Sequence, residues 1–381
     1  MRISRRGVTW GAAATGVALL LRAPAAARDD GLFAAPTPAE QARITEEAAA
    51  FARQYEVPGL GIAFARQGRV LHEQALGFAD REAREALTPA HRFRIASITK
   101  PFTSATIFRL IEQGRLALGE PVLGAAGVLG DDYGPIPRGS PLAGITVEHL
   151  LTHSSGGWPN GEGDPMWRDP ALSQAQLIRA TLKERPLDHA PGSHYAYSNF
   201  GYCLLGRVIE KRSGRPYASF VQESILAPIG VSDMAIAGNT RAERQHLEVR
   251  YYRGVRDDPY GMNVRRMDSH GGWIARPAAV ALFASHLERG SSPAVLGAQS
   301  LDTMTTPSPA NPQYAKGWRV NRAGNWWHTG HLPGTSGILV RAHSGLCWAA
   351  LLNTEHRGDD IDRDLDQLMW RLARGVPAWR A

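Results

Sequence analysis

The stretch Arg94-Ile95-Ala96-Ser97-Ile98-Thr99-Lys100-Pro101-Phe102 decides how the rest of the sequence is interpreted. It places a serine and a lysine three residues apart at the predicted start of a helix. Residues three apart lie on one helix face, so the lysine amine can approach the serine hydroxyl. The apolar spacing of Ile107, Leu110 and Ile111 predicts the helix, Gly114 marks its end, and a proline is tolerated in a first turn.

This serine–lysine pair has a chemical interpretation. A serine becomes a good nucleophile when a neighbouring base takes its proton, and a desolvated lysine amine can serve in that transfer. The chain has only four lysines, Lys100, Lys183, Lys211 and Lys316, and arginine supplies its other basic residues. Because arginine cannot be deprotonated in proteins, a lysine at this spacing suggests catalysis. The alternative is a helix-capping serine beside a solvated lysine.

Two later fragments are candidate partners of this pair. Tyr197-Ser198-Asn199 is the only Tyr-x-Asn in the chain, and His328-Thr329-Gly330 is the only His-Thr-Gly. Taken alone, Asn199 could be a helix cap and His328 a histidine on an edge strand. In this order, each at the boundary of a predicted element, the fragments predict one shared site with Ser97 and Lys100.

These motifs resemble those of the serine β-lactamase and penicillin-binding-protein superfamily. The similarity is to the group of class C β-lactamases, D-alanyl-D-alanine carboxypeptidases and β-lactamase-like esterases, and it runs from about Val57 to Asn353. The matching segments are 93–101, Leu150-Leu151-Thr152-His153-Ser154-Ser155-Gly156, Tyr195-Ala196-Tyr197-Ser198-Asn199 through Gly206, and His328-Thr329-Gly330-His331-Leu332-Pro333-Gly334.

The resemblance implies roles for the site residues. Ser97 attacks a carbonyl to give an acyl-enzyme, and Lys100 and Tyr197 hold the proton that it releases. A tyrosine beside a lysine cation has its phenolate favoured, so Tyr197 can act as base. Asn199 orients Lys100 and the substrate amide, and Ser97 and His331 supply the backbone N–H groups of the oxyanion hole.

The third motif, His328-Thr329-Gly330, has its own expectations. His328 completes the hydrogen-bond network, Thr329 lies at the substrate, and Gly330 allows substrate to lie close to the backbone. The family's β-lactamases usually carry lysine at the first position of this motif. A histidine is only partly charged at neutral pH and offers a substrate carboxylate less attraction. Efficient β-lactam hydrolysis is therefore not expected.

The first residues have the pattern of an export signal. Ser4-Arg5-Arg6-Gly7 is a twin-arginine region, residues 8–21 form a short apolar core, and residues 23–27 offer A-x-A cleavage sites. An uncleaved anchor is the alternative. Removal of 1–27 takes away four arginines and no acidic residue, more than half of the formal charge of +7. The basic character therefore does not indicate a nucleic-acid partner.

The arrangement of predicted elements defines the fold class. Helices are predicted at 39–55, 200–211 and 278–287, and a closing helix contains Leu365, Leu368, Met369 and Leu372. Strands are predicted at 59–65, 70–77, 318–320, 325–329, 337–341 and 346–353. We predict an α+β fold: an antiparallel sheet flanked by helices, formed by residues 28–119 and 270–381, with a mostly helical domain inserted at 120–269 and the active site between them.

The function expected from these features is that of a periplasmic or secreted serine hydrolase acting on D-alanyl peptides. A carboxylesterase, a class C-like β-lactamase and a penicillin-binding sensor that acylates without turnover are the alternatives, and a non-catalytic scaffold is the last. We expect a small-molecule or peptide substrate, no nucleic-acid partner, no membrane span after signal cleavage, a monomer or weak oligomer, and no cofactor or metal. Cys203 and Cys347 are predicted to be buried free thiols.

Overall fold

Seven antiparallel strands form the central sheet of the protein. The computed structural model describes residues 35–161, 163–253, 258–355 and 359–379, so the predicted signal peptide lies outside the described residues. The strands are β1 (Gly59–Arg66), β2 (Arg69–Asp80), β3 (Glu85–Ala86), β8 (Arg319–Val320), β9 (Trp326–Leu332), β10 (Thr335–Arg341) and β11 (Cys347–Leu352). Their order is β3-β2-β1-β11-β10-β9-β8. Strands from both ends of the chain share the sheet, as predicted.

Helices cover both faces of this sheet. The first and last helices, α1 (Pro38–Gln54) and α9 (Asp359–Arg374), pack together over one face with Trp348 and Trp379 buried beneath them. The opposite face is covered by α7 (Pro277–Ser285), which contacts β1 and β11. Because β1, β10 and β11 are buried on both faces, their sequences are almost continuously apolar.

The remaining elements lie mostly between β3 and β8 in the chain. The helices are α2 (Thr99–Glu112), α3 (Val147–Leu151), α4 (Gln174–Glu184), α5 (Asn199–Ser213), α6 (Tyr217–Val221) and α8 (Ala298–Thr305). Short strands are β4 (Phe93–Arg94), β5 (Ala235–Ile236), β6 (Tyr252–Arg253), β7 (Trp273–Ala275) and β12 (Thr354–Glu355). One hydrophobic cluster continues from the sheet into these helices. The boundaries of the inserted domain stay a prediction.

Helix α2 differs from its sequence pattern. The spacing of Ile107, Leu110 and Ile111 predicts an amphipathic helix, but every residue from Thr99 to Phe108 is buried. The helix is enclosed because it packs against α5, α6 and α8. Three of its four buried hydroxyl groups bond backbone carbonyls: Thr103 bonds Ser269 at 2.7 Å, Ser104 bonds Lys316 at 2.6 Å and Thr106 bonds Phe102 at 2.8 Å. Lys100 is thereby carried into the interior with no access to solvent.

Strand β9 is longer than predicted. The sequence indicates a strand ending at Thr329, whereas the pairing with β10 continues through the bridge between Leu332 and Thr335. His331 therefore lies within the strand and opposite Ser336. This extension places the whole His-Thr-Gly motif and His331 along one edge, beside the turn that carries Ser97.

Both cysteines are free and buried, as predicted. Cys203 lies in α5 and Cys347 begins β11, and burial raises the pKa of each thiol to about 12. Such thiols are largely protonated at neutral pH and pack as small apolar groups. Among the residues that the structure describes, no helix is both long enough and apolar enough to span a bilayer.

Candidate active site

Ser97 lies in a single turn of 3-10 helix, Ala96–Ile98, that leads into α2. Ala96 has a φ of 47°, in the left-handed region that residues with a side chain seldom adopt. Such strain persists only where the surroundings impose it, and it is frequent at functional sites. The turn projects Ser97 into a cleft.

Lys100 is the central group beneath this cleft. Its Nζ lies 2.9 Å from Ser97 Oγ, 2.8 Å from Asn199 Oδ1 and 3.1 Å from the His270 carbonyl oxygen. Burial lowers the pKa of Lys100 to about 7, against a smaller opposing effect of Asp164. A neutral amine has two N–H donors and one lone pair. Asn199 and His270 accept the two N–H groups, which leaves the lone pair for the Ser97 proton.

Tyr197 stands beside the pair but does not have the environment expected of a base. Lys100 Nζ is 4.8 Å from the centre of its ring, and a hydrogen bond links its hydroxyl to Ser97. Burial nevertheless raises the pKa of Tyr197 above its ordinary value. The predicted favouring of its phenolate is wrong because burial of the hydroxyl group disfavours the charged form. At neutral pH Tyr197 therefore keeps its proton and can donate it.

His328 is neutral and belongs to a buried chain of hydrogen bonds. Its Nδ1 lies 2.6 Å from the Thr329 carbonyl oxygen, which can only accept, so Nε2 is left as the acceptor for the Tyr314 hydroxyl at 3.3 Å. His153 Nδ1 accepts from the Ser198 N–H, so its Nε2–H faces the same Tyr314 hydroxyl at 3.0 Å. Burial lowers the pKa of His328 to about 3. The expected partial charge on His328 is therefore absent at neutral pH.

The structure gives a reason for glycine at position 330 that the sequence analysis did not predict. A Cβ at this position would lie 2.3 Å from the Ile95 carbonyl oxygen and 3.3 Å from the Ala96 Cβ. The glycine therefore lets β9 approach the turn of Ser97 closely, and the role predicted for it beside substrate stays a prediction. The close approach brings Thr329 and His331 to the same cleft as Ser97. The backbone N–H groups of Ser97 and His331 remain the predicted oxyanion hole.

Six of the predicted residues line the cleft: Ser97, Tyr197, Asn199, His328, Thr329 and His331. Among the further lining side chains, the sequence analysis missed Asn160, Met267, His270 and Arg319. No motif identifies these missed positions, because each reaches the cleft through the folding of a distant segment. Among the predicted residues, His331 has a further partner: its Nε2 lies 2.8 Å from Asp362 Oδ1 of α9. Trp326, which shares a strand face with His328, packs between Trp318 and Arg341 instead of lining the cleft.

Comparison with known proteins identifies the family to which this chain belongs. The family model described as Beta-lactamase matches residues 42–369. The chain belongs to the beta-lactamase family. It is 32% identical over 237 residues to Esterase EstB of Burkholderia gladioli, covering 58% of this chain and 57% of the esterase. It is also 32% identical over 200 residues to Penicillin-binding protein 4* of Bacillus subtilis (strain 168), covering 51% and 41% of the two chains.

The fold of this beta-lactamase family member also matches solved structures. D-amino acid amidase from Ochrobactrum anthropi SV3, complexed with L-phenylalanine amide, aligns with a TM-score of 0.72 at 21% identity, covering 90% of this chain and all of that chain. This likeness shows the α+β fold predicted from sequence. The chain spans about half the length of the curated relatives it matches. The family and its hydrolase members support a serine hydrolase.

Proposed function

We propose that this protein is an exported serine hydrolase that forms an acyl-enzyme on Ser97 and acts on D-alanyl peptides, as a D-Ala-D-Ala carboxypeptidase does. One observation carries the choice of substrate. Among the described residues that line the cleft, Arg319 is the one permanent cation, and none is acidic. A guanidinium binds carboxylate through paired N–H donors. The free C-terminal carboxylate of a peptide matches such a cleft.

The proposed reaction follows from the positions of the groups. Neutral Lys100 accepts the Ser97 proton as Oγ attacks the substrate carbonyl. The Ser97 and His331 N–H groups stabilise the developing oxyanion. Tyr197, which keeps its proton at neutral pH, relays a proton toward the leaving amine, and the C–N bond breaks. Water then attacks the Ser97 ester and gives its proton to Lys100. The bond between Ser97 Oγ and the acyl carbon breaks, and Lys100 returns the proton to Oγ as the acid is released.

Arg319 provides the test of substrate class. Replacing it with glutamine removes the cation while keeping a polar side chain. We expect kcat/KM for an N-acylated D-Ala-D-Ala peptide with a free C-terminus to fall by about 10- to 100-fold, the range for a hydrogen bond to a charged group. The same peptide with a C-terminal amide should be hydrolysed equally by both enzymes, because it has no carboxylate to lose.

Arg322 offers a matched control for this experiment. It is an exposed arginine three residues further along the chain, in the turn after β8, and it does not line the cleft. Arg322→Gln should leave both peptides unaffected. Equal losses on the acid and the amide in Arg319→Gln would show that Arg319 does not read the carboxylate, and the D-alanyl assignment would have to be abandoned.

A carboxylesterase is the second candidate. It is favoured by the similarity to Esterase EstB and by the neutral state of His328, which adds no cation at the substrate. Trp167, with 49% of its surface exposed at the cleft, offers an aromatic platform for an apolar acyl group. Hydrolysis of p-nitrophenyl butyrate with no detectable release of D-alanine from the peptide would establish the esterase.

A class C-like β-lactamase and a penicillin-binding sensor are the remaining alternatives, the second suggested by the similarity to Penicillin-binding protein 4*. Both would react with benzylpenicillin at Ser97, and they differ in the fate of the acyl group. Intact mass measured over an hour separates them. Release of penicilloate would identify a β-lactamase, and an adduct that persists with no hydrolysis of peptides or esters would identify a sensor.

Export is part of the proposal and is supported by the twin arginines Arg5 and Arg6. Lysine keeps the charge at these positions but not the twin-arginine signature that the export pathway reads. We expect the R5K/R6K double substitution to shift the protein from the periplasmic or culture fraction to the cytoplasmic fraction. Equal periplasmic amounts of the wild type and this variant, measured by immunoblot, would contradict twin-arginine export.

A further inference from the structure

Asp164 is a buried carboxylate that the reaction described above does not use. It precedes the short 3-10 helix Pro165–Trp167 and is 4% exposed. Its Oδ1 accepts a hydrogen bond from the Met166 N–H at 2.9 Å, which caps that turn. Within the described part of the chain, no cationic side chain forms an ion pair with Asp164. The partner of its second oxygen, Oδ2, is therefore a neutral group.

That second oxygen faces the catalytic network. Asp164 Oδ2 accepts a hydrogen bond from Asn199 Nδ2 at 2.8 Å, and Asn199 Oδ1 lies 2.8 Å from Lys100 Nζ. The main-chain N–H of Asn199 is separately bound by Asn160 Oδ1 at 2.8 Å. Asp164, Asn199, Lys100 and Ser97 therefore form one continuous chain of polar contacts from the interior to the cleft.

The carboxylate determines which end of the Asn199 amide faces Lys100. An ionised carboxylate only accepts hydrogen bonds, so it selects the amide nitrogen and turns the amide oxygen toward Nζ. With the opposite orientation, the two N–H groups of Asn199 would face Nζ and compete for its lone pair. The Ser97 proton would then have no acceptor.

The charge of Asp164 also acts on Lys100 across this amide. It raises the pKa of Lys100 against the larger lowering by burial. Lys100 faces no other carboxylate among the groups that affect its pKa. The other titratable groups around Lys100 are the rings of His153, Tyr197, Tyr202, His270 and His328. Burial lowers the pKa of each of these histidines and raises the pKa of each of these tyrosines, so all five are neutral at neutral pH. Among the described residues, Asp164 is thus the one carboxylate set against Lys100, and burial raises the pKa of Asp164 itself.

We propose that Asp164 is a positioning residue that fixes the Asn199 amide with its oxygen toward Lys100 and thereby keeps the Lys100 lone pair directed at Ser97. The inference rests on the proposed acyl-enzyme function, since it concerns the base of that reaction. It adds a fourth member to the group of Ser97, Lys100 and Asn199, contributed by a loop that no motif marks.

The pH profile of Asp164→Asn tests this role. With p-nitrophenyl acetate as substrate, we expect the plateau of kcat/KM to fall about 10-fold or more, because an asparagine can present its own N–H donors to Asn199. We also expect the midpoint of the acidic limb to move to lower pH, because the anion that raises the pKa of Lys100 is gone. A merely structural residue would lower the amount of active enzyme and leave the midpoint in place.

Asp169→Asn is the matched control. Asp169 caps a neighbouring turn with the same 2.9 Å bond to a main-chain N–H two residues ahead, and it is exposed and does not line the cleft. Its substitution should change neither the plateau nor the midpoint. A profile of Asp164→Asn identical to that of Asp169→Asn would overturn the proposal.

Asn199→Ala keeps the test decisive if Asp164→Asn folds poorly, which far-UV circular dichroism and thermal melting will reveal. This variant leaves Asp164 in place and removes the group through which it acts. We expect Asp164→Ala to add no further loss of plateau activity in the Asn199→Ala background, whereas multiplicative losses would overturn the proposal. Activity that survives Ser97→Ala would instead overturn the acyl-enzyme function, and the two failures are thus distinguishable.

Discussion

Ser97→Ala is expected to abolish hydrolysis of esters and of D-alanyl peptides, with a loss of at least about 10⁴-fold in kcat. The alanine removes the only atom that can form the acyl-enzyme, while the neighbouring groups retain their positions. Ser97 Oγ lies 2.9 Å from Lys100 Nζ, and the turn that carries it is held between β9 and α2. Initial rates against a non-enzymatic blank measure the loss.

The folded state should survive this substitution. Removal of one hydroxyl from the cleft surface leaves the packing of α2 intact, so thermal melting should shift by no more than a few degrees. A nearby serine gives the control. Ser155 is buried in the loop after α3, where its hydroxyl bonds the Gly157 carbonyl oxygen, and it does not line the cleft. Ser155→Ala should retain hydrolysis, and residual hydrolysis of wild-type magnitude in Ser97→Ala would exclude Ser97 as the nucleophile.

Lys100→Arg and Lys100→Met should each lower kcat/KM by at least about 10³-fold, within the range for a general base. Arginine keeps a positive charge but cannot accept a proton, and methionine keeps the length of the side chain without charge or base. If both variants lose activity, Lys100 is needed as a proton acceptor and not only as a positive charge. In the wild type, activity should rise with pH through about 7, because Lys100 must lose its proton to act.

Stability provides an independent check on the Lys100 variants. Burial lowers the pKa of Lys100 from 10.5 to about 7, so the unfolded state binds the proton more tightly. Between these values the unfolded state carries more protons, and the Lys100 contribution to the free energy of unfolding increases as pH rises. Lys100→Met should lack this contribution, so its free energy of unfolding, measured with urea, should rise less steeply between pH 7 and pH 10.5 than that of the wild type. An equal pH dependence in the two proteins would contradict the lowered pKa of the buried Lys100.

The sequence predicted the sheet, its flanking helices and most of the site because these features follow local patterns. The alternation and apolar runs of β1, β9, β10 and β11 are visible without a structure. Ser97, Lys100, Tyr197, Asn199 and His328 belong to short motifs with unusual residue combinations, and the structure brings them together around one cleft.

Other properties of the site arise from contacts between distant segments. Tyr314 joins His153 to His328, and Asp164 meets Asn199, across separations that no local pattern encodes. Arg319 reaches the cleft only through the pairing of β8 with β9. Protonation states depend on burial, which explains why a phenolate on Tyr197 was expected and a neutral tyrosine is found. The close contact of Gly330 with the Ile95 carbonyl was likewise not predictable, because the two residues are far apart in the chain.

The most direct test of the mechanism is the location of the acyl group during turnover. The enzyme is quenched with acid while it hydrolyses p-nitrophenyl butyrate, digested with trypsin and analysed by mass spectrometry. Cleavage after Arg94 and Arg109, with Lys100 protected by Pro101, places Ser97 in the peptide 95–109. A butyryl group on Ser97 of this peptide, absent from Ser97→Ala, is the predicted result. A butyryl group on another peptide, or one that persists in Ser97→Ala, would contradict the assignment of Ser97 as the nucleophile.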